Sequence, residues 1–130
     1  MMFDYQKARQ NLIKKKEEKQ RRNLLLYEKA CFDFLSILKT IVMNYSPEKV
    51  YQWGSLLYKE KFCDYSDIDI AIKGIESAEM FFRMVKDIEV LTNFPIDIVQ
   101  WEKIEPEFRS LILLKGKLVY DRDSSRYSIA

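Results

Sequence analysis

From Leu24 onward the apolar residues Leu24, Tyr27, Cys31, Phe34, Leu35, Leu38, Ile41, Val42 and Tyr45 recur at spacings of mostly three and four. That period predicts an amphipathic helix with one face packed on a core. Residues 3–45 hold no Gly or Pro and are rich in Lys, Glu, Gln, Leu and Arg, so the helix is expected to run through that whole stretch until Ser46-Pro47 stops it. Beyond Pro47 the pattern changes. KVYQW (49–53) is a strand ending at Gly54-Ser55, and LLYKEKF (56–62) is one or two helical turns. DIDIAIK (67–73) alternates as a strand and ends at Gly74. Residues 76–92 carry Met80, Phe81, Met84, Val85, Ile88 and Leu91 at helical spacing. FPIDIVQW (94–101) is a strand, EPEFRSLILL (105–114) a helix with Pro106 in its first turn and Gly116 as C-cap, and KLVYD (117–121) a fourth strand. The order αβαβαβαβ predicts an α/β (α+β) domain: a small mixed sheet with packed helices behind a long N-terminal helix. The expected divisions are 1–46 for that helix (basic arm 1–23, packed part 24–45), 47–121 for the domain and 122–130 for a flexible tail.

The ten residues KKKEEKQRRN (14–23) interrupt the apolar stripe. A helix there has no face to bury and reads first as a solvated extension. The sharper reading is a basic arm for an acidic partner or nucleic acid. Charge supports a division of the chain: residues 1–45 hold ten Lys/Arg against five Asp/Glu, and residues 46–130 hold twelve against fifteen.

Composition narrows the chemistry. No histidine is present, which excludes Ser-His-Asp triads, Cys-His pairs and histidine-ligated zinc. The three glycines are too far apart for a glycine-rich phosphate loop. Cys31 and Cys63 form neither a disulfide framework nor a metal cluster and fit a reducing compartment. The start has no signal-peptide pattern, and the apolar run 24–45 is broken by Glu28, Lys29, Asp33 and Lys39, so a cytoplasmic protein without a membrane span is expected.

Strands normally avoid Asp. Here Asp67 and Asp69 fall on one face of a strand whose other face carries Ile68, Ile70 and Ile72, and Asp97 lies between Ile96 and Ile98 in the same arrangement. If the two strands are neighbours, three carboxylates meet. Their repulsion is relieved by a hard divalent cation, and oxygen ligands select Mg²⁺ or Mn²⁺. The plainer alternative is three solvated strand-end residues paired with Lys or Arg. Gly54-Ser55, eleven residues before Asp67, follows a strand and opens a short turn, a geometry that lets a phosphate approach the backbone and a serine hydroxyl.

Taken together, WGSLLYKEKFCDYSDIDIAIKG (53–74) and PIDIVQW (95–101) resemble the nucleotidyltransferase superfamily of the DNA polymerase beta type, and within it the minimal nucleotidyltransferases (MNT proteins). The resemblance spans about residues 47–121. It implies that Gly54, Ser55 and Ser66 hold a nucleoside triphosphate (ATP). It also implies that Asp67 and Asp69 ligate Mg²⁺, and that Asp97 completes the metal site and helps deprotonate the attacking hydroxyl. The spacer 56–66 is one residue longer than usual. Leu56, Leu57 and Tyr58 stand where many relatives carry arginine, so Lys59 or Lys61 is expected to supply the positive charge.

Small MNT proteins are often antitoxins that transfer AMP to a tyrosine of a HEPN-domain toxin, and the resemblance implies such a partner here. Three other readings stay open. One is a catalytically weak or inactive binding subunit. Another is a transferase acting on a small molecule or RNA. The third is a homo-oligomer zipped through the N-terminal helix.

Overall fold

The computed structural model of the 130-residue chain describes residues 2–124 and 126–127. Its first element, α1, is one uninterrupted helix, Tyr5–Tyr45. Asp4 caps it by accepting the Lys7 N–H at 3.0 Å. Ser46 ends it in the left-handed region (φ 47°), with its N–H on the Val42 carbonyl, and Pro47 then prevents continuation. The 41 residues measure roughly 60 Å at 1.5 Å per residue.

Only the C-terminal third of α1 enters the core. Its buried residues are Ala30, Asp33, Phe34, Ile37, Leu38, Ile41 and Tyr45. The stripe expected from the sequence is therefore turned slightly about the helix axis. Ala30 and Ile37 are fully buried, whereas Leu35 is only half-buried.

The remaining elements are β1 (Lys49–Trp53), β2 (Ile68–Lys73), α2 (Ala78–Glu89), β3 (Ile96–Gln100), α3 (Pro106–Lys115), β4 (Lys117–Asp121) and β5 (Arg126–Tyr127). They match the expected order, with boundaries shifted by up to three residues. Two expectations need correction. Residues 56–62 do not form a regular helix; a single 3₁₀ turn at Ser55–Leu57 gives way to irregular turns. The tail is not wholly loose: residues 122–124 form a further 3₁₀ turn, and β5 pairs antiparallel with β4. Residues 125 and 128–130 of that tail lie outside the described residues.

The sheet order is β3-β2-β1-β4-β5, with β2 and β3 parallel and the other pairs antiparallel. The strand period of two divides its faces. Val50, Ile68, Ile70, Ile72 and Val119 pack with α1 and α2, where Met84 and Ile88 complete the main core. Tyr51, Ala71 and Trp101 pack with Ile112 of α3 on the opposite face. Two polar ties fix α1. The Thr92 hydroxyl donates to buried Asp33 at 2.7 Å, and the Tyr45 hydroxyl donates to Asp87 of α2. Among the described residues no helix is long and apolar enough to cross a membrane.

Because Ile37 has no exposed surface, Ile37→Ala is expected to cost about 2–5 kcal/mol in urea unfolding. Leu25→Ala, on the exposed side of the same helix, should shift stability by less than about 0.5 kcal/mol.

Candidate active site

Three chain segments bring the predicted site residues to one end of the sheet. β1 finishes there and turns at Gly54, while antiparallel β2 and its parallel neighbour β3 both begin there. Register then decides the contacts. Asp69 pairs with Trp53 on one side and with Asp97 on the other. Directly opposed residues on adjacent strands have backbones about 5 Å apart, so the side chains of Asp69 and Asp97 stand next to each other. Ile68, Ile70, Ile96 and Ile98 all pack toward the main core, which turns Asp67, Asp69 and Asp97 to the α3 face.

The three acids are not equivalent. Asp69 is buried at 9% exposure, Asp67 is half-buried and Asp97 is exposed. Burial, then the charges of Asp97 and Asp67, push the Asp69 carboxyl up to about 7. Gly54 lies against this carboxylate. A Cβ at position 54 would come within 2.0 Å of Asp69 Oδ2, and the glycine φ of +84° is itself costly for any other residue. Glycine is thus required twice, for the turn and for the carboxylate that fills the space beside it.

After Gly54 the 3₁₀ turn uses the N–H groups of Leu57 and Tyr58, which bond to the carbonyls of Gly54 and Ser55 at 3.2 and 3.0 Å. The N–H groups that open such a turn have no partner within it. The Ser55 hydroxyl makes no hydrogen bond among the described residues.

Beside Gly54 and Ser55 runs a cleft of about 340 Å³. Its walls are mainly apolar and aromatic: Trp53 meets Phe108 edge-to-face at 5.1 Å, and Tyr58 faces them from the turn. Trp53 Nε1 is buried with no hydrogen-bond partner among the described residues. Two cations line the cleft, Lys61 and Lys115. Lys61 reaches over the Tyr58 ring, with Nζ 4.7 Å from its centre.

The structure therefore separates the two lysines that the sequence left equivalent. Lys61 belongs to the cleft, whereas Lys59 points to a different hollow, against Gln20, Asn23 and Leu24 of α1. Ser66 is also placed elsewhere: its buried Oγ accepts the Cys63 N–H at 3.0 Å and lies 3.4 Å from Cys63 Sγ, so it closes the turn that leads into β2. Lys115 was not anticipated. It lies sixty residues after Ser55 and reaches the site only because α3 ends where β4 pairs with β1, a tertiary fact without a local motif.

The donor set suits a hard divalent ion: all oxygen, three carboxylates within one another's fields, and the most buried of them holding its proton to near neutrality. Among the described residues no three such groups are gathered tightly enough to ligate one ion as they stand.

Residues 36–125 match the family model for the polymerase beta nucleotidyltransferase domain. The chain belongs to that family. A comparison with curated proteins returns no match. Among solved structures the fold is similar to a chain of the MntA-HepT toxin–antitoxin complex (16% identity, TM-score 0.54, covering 72% of this chain and 74% of the other). A point mutant of that toxin–antitoxin complex matches at 18% identity and TM-score 0.52, covering 66% and 69%. A protein from Shewanella oneidensis matches at 14% identity and TM-score 0.50, covering 72% of each chain. The family domain begins inside α1, at the last turns that enter the core, and leaves the exposed part of that helix outside it.

The raised Asp69 carboxyl makes stability depend on pH. Unfolding returns it to its ordinary value near 3.8, so folding takes up a proton between about pH 4 and 7. This contribution is complete below pH 4 and is lost as pH rises through 7. The melting temperature of metal-free protein should therefore fall from pH 5 to pH 8, with a shallower fall in Asp69→Asn. Millimolar Mg²⁺ or Mn²⁺ should raise it at pH 8 more than at pH 5, where the proton competes, and should leave Asp69→Asn unmoved.

Proposed function

We propose that this chain is a divalent-metal-dependent nucleotidyltransferase that moves AMP from ATP to a hydroxyl. The acceptor in this reading is a tyrosine of a HEPN-type toxin to which the chain is antitoxin. One observation carries the reading: the carboxylates of Asp67, Asp69 and Asp97 are turned to the same face and end of the sheet as the Gly54-Ser55 turn. Membership of the nucleotidyltransferase family supports the transfer chemistry, and the fold's likeness to a chain of a toxin–antitoxin complex supports the kind of partner.

In such a transfer the acceptor oxygen attacks the α-phosphorus in line, the bond to the β-phosphate oxygen breaks, and pyrophosphate leaves with the electron pair. Mg²⁺, when held by Asp67, Asp69 and Asp97, supplies charge neutralisation for the attacking and leaving oxygens. The chain's own contributions are positioning and electrostatics. Gly54 makes room beside the turn for the Asp69 carboxylate, and Ser55 offers a free hydroxyl to the triphosphate. Lys61 and Lys115 place positive charge on the rim of the cleft, in a chain whose positions 56–58 carry no arginine. Asp97, the most exposed of the three acids, is the base with access to an acceptor hydroxyl. The aromatic cleft of Trp53, Tyr58 and Phe108 is suited to a nucleobase. No histidine is needed at any step.

Incubated with ATP labelled at the α-phosphate, Mg²⁺ and the product of an adjacent gene, the protein should add one AMP to that partner. Asp67→Asn combined with Asp69→Asn should reduce labelling by at least a thousandfold while preserving partner binding. A partner bound tightly by wild type but never labelled would leave only the role of a binding subunit.

The geometry also distinguishes the lysines. Lys61→Ala and Lys115→Ala should each raise the KM for ATP several-fold to tenfold, while Lys59→Ala should leave it within twofold. An equal effect of Lys59→Ala would mean that the loop moves on binding ATP.

A further inference from the structure

The exposed part of α1 is unexplained by transfer chemistry. Twenty-one residues, Tyr5–Leu25, precede Leu26 and Tyr27, which pack against the core, and so gain little from it. Between positions 14 and 22 the helix carries Lys14, Lys15, Lys16, Lys19, Arg21 and Arg22 against Glu17 and Glu18. Among the described residues none of these six cations forms a salt bridge.

Their arrangement has direction. At 100° per residue, Lys14 and Arg21 share one stripe, and Lys15 and Arg22 share the next. Lys29, further along the second stripe, is paired with Asp33 at 3.8 Å, and the hollow it lines with Lys19 and Arg22 also holds Asp64, so the unpaired cations end at Arg22. Lys16 and Lys19 extend the positive charge around the flank. The helix thus presents cations on more than one side over about 12 Å from Lys14 to Arg22.

Chemistry excludes most occupants. A second copy would bring like charges together, with no apolar residue from Lys14 to Asn23 to form a seam. An acidic protein surface would need apolar or aromatic anchors, and lysine is depleted at such interfaces. Single-stranded nucleic acid is held by aromatic stacking, and residues 6–26 contain no aromatic side chain. The major groove of duplex RNA is too narrow for a helix. The B-DNA major groove admits one and offers phosphates along both flanks. We propose that the free part of α1 is a binding arm for duplex DNA that acts through the phosphate backbone, independently of the transfer site.

Four neutralised phosphates would give a log–log salt slope of about −3.6, a loss of roughly a hundredfold in affinity between 50 and 200 mM salt. The test is fluorescence anisotropy of the full chain with labelled 20-base-pair duplexes of two unrelated sequences. Parallel arms use duplex RNA, single-stranded DNA and polyglutamate of similar length. The expected result is tightest binding to both DNA duplexes alike, with that slope. Replacing the six cations by Gln should weaken binding at least tenfold and flatten the slope. No buried side chain is touched, so the melting temperature should hold. Arginine at 14, 15, 16 and 19 should retain binding. Absence of duplex binding at 50 mM salt, unchanged affinity in the glutamine variant, or equal or tighter binding of polyglutamate or either RNA or single strand would overturn the assignment.

Discussion

The site is organised by one steric fact: position 54 has no Cβ, and the carboxylate of Asp69 occupies the neighbouring space. A buried acid at a strand start is costly, and two further acids raise that cost. The fold accepts this because the isoleucines alternating with those acids anchor β2 and β3 firmly in the main core. A one-residue slip in either strand would bury its acids and expose its isoleucines. The register that secures the core is therefore the register that assembles the charge cluster. Stability and chemistry are coupled through the period of two.

That coupling explains why the acids were legible in the sequence. Asp67, Asp69 and Asp97 each sit next to isoleucine, and alternation alone predicts that they share a face once the strands are neighbours. The sequence could not establish that adjacency, which follows from the parallel β2–β3 pairing. The cations behave differently. Lys59 and Lys61 lie in a segment without regular structure, so no period connects their spacing to direction. Lys115 depends on α3 returning its C-terminal end to β1. Ser66 matched the family motif by position, yet its hydroxyl is spent on the Cys63 turn. Residues in regular elements were readable, and those in irregular or distant segments needed the tertiary structure.

The long helix shows the same contrast. Its existence was readable from the absence of Gly and Pro over more than forty residues. Its buried face was readable only approximately. Ala30 is too small to stand out in a hydrophobic pattern, yet its burial is complete. Leu25, Phe32 and Met43, strongly apolar, remain exposed. Hydrophobicity identifies a helix more reliably than it identifies which side faces inward.

The segment between Gly54 and Asp67 joins these two regions of the molecule. It is held from inside by Leu56 and Phe62, the latter edge-to-face with Phe94 at 5.5 Å. From that anchored backbone Lys61 reaches the aromatic cleft, while Lys59, Glu60 and Asp64 meet α1 in the hollows formed by residues 19–29. An irregular segment can send neighbouring side chains to opposite sides, which a strand or helix turn of the same length would place on fixed faces. The lack of regular structure at 58–66 thus has a structural use. It lets one short connection place a cation beside the Gly54 turn and also cover the base of the long helix, with its two buried hydrophobes limiting how far either contact can move.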